Sequence, residues 1–119
     1  MTGDPVGRDA QFLRDILDFG ALAADLAARG RHAYDADRLL QLSAEAILHR
    51  IGEAVGRLDP AVVAAHPHVP FRQAKGMRNL VAHEYHRVDP ELVWNVIENR
   101  IPALCRHVAG ILGEPYPRR

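Results

Sequence analysis

The sequence predicts an all-α fold, an up-and-down bundle of four to five helices, and three observations carry that expectation. Apolar residues recur at steps of three and four over long segments, no segment alternates apolar and polar residues as a half-buried strand does, and helix-start signals divide the chain. With 119 residues, 48% hydrophobic and 25% charged, the chain suits one compact domain. That helical domain is expected over 9–112, between an N-terminal segment 1–8 and a tail 113–119.

After Arg8, a stripe of Phe12, Ile16, Phe19, Ala23 and Leu26, with Arg14, Asp18, Asp25 and Arg29 opposite, predicts a first helix ended near Gly30. A second is expected from about Asp35, with Leu40, Ala44, Ile47, Ile51, Ala54 and Leu58 on one seam. It stops at Asp59-Pro60, and the same Asp-Pro pair returns at Asp89-Pro90. Such a pair starts a helix, because the carboxylate caps free N–H groups and proline in the first turn needs no donor. The first should open a short helix through about Ala65, the second a final helix carrying Val93, Ile97, Leu104 and Val108. Pro102 lies inside that last pattern and should kink or divide it. Pro67 and Pro70 make AHPHVPFR a linker, a further helix starts near Phe71, and GEPYPRR should be a loose tail.

Lys plus Arg and Asp plus Glu balance at 15 each, so no overall field draws the chain to a polyanion, and any nucleic-acid contact must come from a local patch. All the basic residues but Lys75 are arginines, whose planar fork suits phosphate. Cys105 is the only cysteine, which excludes an internal disulfide or thiolate cluster, and beside Leu104 and Val108 it reads as a small core residue. No apolar run of membrane length occurs, and MTGDPVGRDA has neither a basic start nor a hydrophobic segment, so a cytoplasmic location is expected.

The stretch GMRNLVAHEY at 76–85 concentrates chemistry on one helix. Asn79 and His83, four apart, share a face; Arg78 and Tyr85, seven apart, share another. Arg78 and His83 are about 140° apart on a straight helix, and converge if the arginine bends across or the helix loosens near His83. Together they suit RNA cleavage: histidine exchanges a proton near neutrality, arginine holds a phosphate by two hydrogen bonds, asparagine orients the imidazole, and the RNA 2′-OH serves as nucleophile without a metal. The plainer reading is a solvated helix face, with cations favoured at a helix C-terminus. Arg72, Lys75 and Arg78 step by three along the same helix, either as an extended RNA path or as a solvated face.

Arg78, four residues, His83, one residue and Tyr85, with Asn79 directly after the arginine, resembles the signature of the HepT-like branch of the HEPN superfamily, small all-α toxins of prokaryotic toxin–antitoxin pairs. RDAQFLRDIL, RIGEAV at 50–55, the approach from Pro70-Phe71 to Asn79, and VDPELVWNVIENRIPAL at 88–104 also resemble family segments in the right order, so the likeness spans about 9–109. Leu80-Val81-Ala82 before His83, and His86 after Tyr85, depart from the commonest wording without removing a signature residue.

The resemblance implies a HEPN-type bundle and a homodimer in which both motifs face a shared cleft. It further implies a metal-independent endoribonuclease acting on RNA, tRNA among the candidates, with Arg78 and His83 catalytic and Asn79 supporting. In this branch the antitoxin is an MntA-like minimal nucleotidyltransferase that transfers AMP to the motif tyrosine, here Tyr85, in what is termed a type VII system. ATP and Mg²⁺ then serve the partner, and this chain needs no cofactor. Arg72, Lys75 and His86 are candidate RNA contacts. The rival reading is a non-catalytic HEPN subunit whose helix docks a nucleotidyltransferase or nucleotide.

His83 and His86, or His66 and His68, lack a carboxylate or cysteine at ligand spacing, so no metal site is expected. Glu53 and Asp15 read either as carboxylates close to the motif or, the plainer reading, as helix-face charge, with Glu53 pairing Arg57 four residues on; Trp94 and Tyr34 are expected to pack.

Overall fold

The computed structural model describes residues 5–82 and 89–117, with the backbone alone at 5–6 and 78–82. Helix α1, Pro5–Ala28, buries Leu13, Ile16, Leu17, Ala23 and Leu26, and leaves Phe12 and Phe19 half-buried. It starts at Pro5, ahead of Arg8. It ends as expected at Gly30, whose φ of 89° is a conformation that side chains with a Cβ avoid.

The second helix differs from expectation at its start. A short helix α2, Arg31–Ala36, precedes α3, Arg38–Gly56, and Asp37 rather than Asp35 is the cap, accepting the Leu39 N–H at 2.9 Å. Asp35 is engaged inside α2, where it accepts a hydrogen bond from Arg31 Nε at 2.8 Å, so the free carboxylate two residues on takes the cap. Arg31 also grips both oxygens of Glu91 through its two terminal nitrogens, fastening α2 to the start of the last helical stretch. Hydrogen bonding to Arg31 holds the Glu91 carboxyl below its usual range.

Both Asp-Pro signals open helices. Asp59 accepts from the Ala61 N–H at 2.8 Å and begins α4, Pro60–Ala65; Asp89 accepts from the Glu91 N–H at 2.9 Å and begins α6, Pro90–Asn95. Between them lies α5, Phe71–Ala82. After α6 the chain forms a π-helical turn, Val96–Arg100, and continues as α7, Ile101–Leu112. Pro102 explains the division: it has no N–H, and its ring crowds the carbonyl four residues back. The preceding Ile101 N–H instead bonds Val96 C=O, five residues back.

Helix α3 lies at the centre, with α1 and α5 packed along it and α7 against α1. Ala44, Leu48, Ile51 and Val55 of α3 are buried, as are Ile97, Ile101, Leu104, Cys105 and Val108 beyond it. Tyr34 and Trp94 pack as expected: their ring centroids are 4.9 Å apart and the Tyr34 hydroxyl donates to Pro90 C=O at 2.8 Å. The C-terminal segment is not loose throughout. Gly113 (φ 69°) turns the chain so that Glu114 N–H reaches Ala109 C=O, Glu114 pairs with Arg14 at 3.4 Å, and Tyr116 packs half-buried on the core.

One buried polar group ties two helices. Asp9, only 6% exposed, accepts the backbone N–H of Asp59, while Arg8 donates to the Asp59 carboxylate at 2.8 Å. Arg8 and Asp9 therefore fasten the start of α4 to α1, a contact the sequence does not announce.

Candidate functional site

Helix α5 is anchored by Phe71, Ala74 and Met77, three buried residues at three-residue steps, on α3. Arg72 and Lys75 are exposed on the opposite side. The helical backbone continues through Arg78 and Asn79 to Ala82. The motif positions 78 and 79 thus sit in the last turns of a helix that is anchored to the core through residue 77. His83, Tyr85 and His86 lie outside the described residues, as does the meeting of His83 with Arg78.

Two hollows flank the groove between α1 and α3. One, about 500 Å³, has Phe19, Leu22 and Leu40 with Asp25, Arg29 and Arg50; the other, about 370 Å³, has Asp15, Glu53, His49 and Arg57. Glu53 faces His49 across 3.6 Å, one turn back, and shares the hollow with Arg57, one turn on. Among the described residues no α5 side chain lines either hollow; Asp15 and Glu53 line the second of them, on the α1–α3 face.

On the other side, the groove between α5 and the last helical stretch contains Gln73, Met77, Asn99 and Arg100 in a hollow of about 310 Å³. Near it His66, His68, Arg106 and His107 line another, about 290 Å³. The His68 ring lies 6.2 Å from His66 and 5.5 Å from His107. Among the described residues no group of His, Cys, Asp or Glu has the spacing to hold a metal ion. Sequence reasoning passed over Asn99, Arg100, Arg106 and His107, because the signal that unites them is a groove between two helices distant in the chain.

A helical bundle with Arg78-Asn79 near the end of a core-anchored helix, and the His-x-Tyr part of the motif next in sequence, fits the class of all-α HEPN-type proteins. The Ribonuclease HepT-like family model matches residues 11–111, and the chain belongs to that family. It is 34% identical over 65 residues to "Putative RNase MJ0125" of Methanocaldococcus jannaschii, covering 55% of this chain and 56% of that protein. Over 65 residues it is 38% identical to "Putative RNase TTE0752" of Caldanaerobacter subterraneus subsp. tengcongensis, covering 55% and 58%. "Probable ribonuclease HepT" of Thermococcus cleftensis is 31% identical over 68 residues, covering 57% and 62%. The chain thus spans little more than half the length of the curated relatives it matches. No solved structure gives a significant match. No helix among the described residues is long and apolar enough to cross a membrane.

Proposed function

We propose that this protein is a HepT-like toxin, an endoribonuclease that cuts RNA without a metal ion, with tRNA among its candidate targets. The observation that carries the proposal is the motif itself: Arg78-Asn79 on a helix anchored to the core, with His83 and Tyr85 following in sequence, all inside the region that the ribonuclease family model matches. His83 takes the proton from a ribose 2′-OH as that oxygen attacks the adjacent phosphorus. The 5′-oxygen leaves and is protonated, giving a cyclic phosphate and a 5′-hydroxyl. Arg78 holds the phosphate and stabilises the charge that grows on its oxygens, and Asn79 orients the imidazole.

Two copies would face their motifs across one cleft, so that a neutral chain presents a doubled local positive charge to RNA. Tyr85 is the acceptor of AMP from an MntA-like nucleotidyltransferase, in a type VII toxin–antitoxin pair. The phenol oxygen attacks the α-phosphorus of ATP and pyrophosphate departs, and the new phosphate both fills the cleft and engages the arginine meant for RNA.

The test uses the full chain expressed with and without its nucleotidyltransferase. Unmodified protein should cut total RNA, His83→Ala should not, and co-expression should add mass in whole AMP increments mapping to Tyr85. RNA left intact by the unmodified dimer sinks the ribonuclease reading and leaves a binding subunit in its place.

A further inference from the structure

We propose that the groove between α5, with the segment leading into it, and the last helical stretch is a single-strand RNA track that leads substrate phosphates to the motif helix, with Arg100 and Arg106 as its principal contacts. The inference rests on the ribonuclease reading above and assigns that site a binding extension.

The two hollows of this groove follow one another along a single seam. On one wall the chain runs from Met77 back through Gln73 and Pro70 to His68 and His66; on the other it runs from Arg100 through Ala103 to Arg106 and His107. On α7, Ala103, Arg106, His107 and Gly110 fall at three- and four-residue steps, the spacing of one helix face. From Arg100 to His107 is about 10 Å of helix, longer than a single phosphate group. One end opens at Met77, the residue directly before Arg78.

Its charge sets this groove apart. Among the described residues no carboxylate lines either hollow, and Glu98, the nearest in sequence to Arg100, does not line them. The hollows of the α1–α3 face, by contrast, include Asp15, Asp25 and Glu53. Among the described residues no carboxylate pairs with Arg100 or Arg106, as none does with Arg29 or Arg50; what differs is that Asp25 lines the hollow of the latter two. In a chain of zero formal net charge, a groove whose polar lining, among the described residues, is cations, amides and imidazoles set among apolar side chains is where a polyanion is drawn. Ala103 and Gly110 keep the α7 wall low, and the walls supply donors suited to phosphate oxygens.

The test measures binding of a labelled, unstructured RNA oligonucleotide to full-length His83→Ala protein by fluorescence anisotropy across a salt series. Arg100→Glu with Arg106→Glu should weaken binding at least tenfold and make the log–log salt slope shallower by about 1.4, two phosphate contacts at roughly 0.7 each. Arg29→Glu with Arg50→Glu, the same charge change on the α1–α3 face, should leave the slope unaltered. Arg100→Gln with Arg106→Gln gives the same reading should the reversals unfold the chain.

Equal losses from both pairs, or unchanged RNA affinity in the groove pair, overturn the track. So does a groove pair that loses nucleotidyltransferase binding while keeping RNA, which would make the groove a protein-docking surface. Cleavage by the unsubstituted protein separates the two claims. If it cuts RNA while the groove variants bind normally, the track alone fails; if it does not cut yet binding depends on the groove, the ribonuclease reading alone fails.

Discussion

Gly20 offers a stringent test of the packing that sets α7 against α1. It lies within α1, and a Cβ built on it would run into Cys105 Sγ, while the next atoms, Cys105 Cβ and Ile101 Cγ2, are 3.8 Å away in ordinary contact. Cys105 is fully buried and Ile101 is 1% exposed, so neither has space to withdraw. Overpacking of this kind costs about 1–3 kcal/mol. Alanine in a helix interior returns about 0.8–1 kcal/mol relative to glycine. Gly20→Ala should therefore destabilise by roughly 0–2 kcal/mol in the native background. In a Cys105→Ala background the obstructing sulfur is gone, and the same change should stabilise by about 1 kcal/mol. The coupling between the sites is then about 1–3 kcal/mol, read by urea unfolding of the four proteins in the cycle. In a thermal melt of a 119-residue chain, 1 kcal/mol is about 4 °C. Additive effects, with Gly20→Ala equally harmful in both backgrounds, would refute the claim that the thiol is what requires glycine.

Asp9→Ala removes the buried acceptor of the half-buried Asp59 N–H and should lower unfolding stability by about 1–3 kcal/mol, whereas Arg8→Ala, which breaks an exposed pair, should cost no more than about 1 kcal/mol. Equal losses in urea titrations would mean that Asp9 matters only as a surface charge. Burial, chiefly, pushes the Tyr34 phenol up to about 12, with Glu45 and Asp35 adding to the rise and Arg31 and Arg38 opposing it. Since the folded value lies above the unfolded one, the neutral phenol's contribution to stability is complete below pH 10 and is lost as pH rises through about 12. Alkaline absorbance titration should show a late-ionising tyrosine that disappears in Tyr34→Phe, and its ionisation at the ordinary value would contradict the buried environment.

The helical fold was legible because its signals are local. Each Asp-Pro pair places a carboxylate within reach of the N–H two residues on, and each starts a helix wherever the rest of the chain goes. The second helix start was less legible: Asp35 and Asp37 are both good caps, and the choice depends on Arg31, which reaches Asp35 and distant Glu91 together. Tyr116 was misread for a related reason, since nothing near it reveals that α1 offers a packing surface. The motif at 78–85 was legible as a pattern, while the groove beside it was not. Its walls, 66–77 and 99–111, are brought together only by the fold.

Pro102 connects these levels. By denying the helix a donor and crowding a carbonyl, it is accommodated by the five-residue bonding of the turn Val96–Arg100. A π turn takes more residues per revolution than an α turn, so Asn99 and Arg100 are rotated relative to where a regular helix ending in α7 would put them. In that rotated register they line the groove beside Met77, while Val96 and Ile97 stay in the core. The break is therefore more than a defect tolerated at a proline. It lets one continuous stretch satisfy the core with one set of residues and present an amide and a guanidinium beside the motif helix with the next.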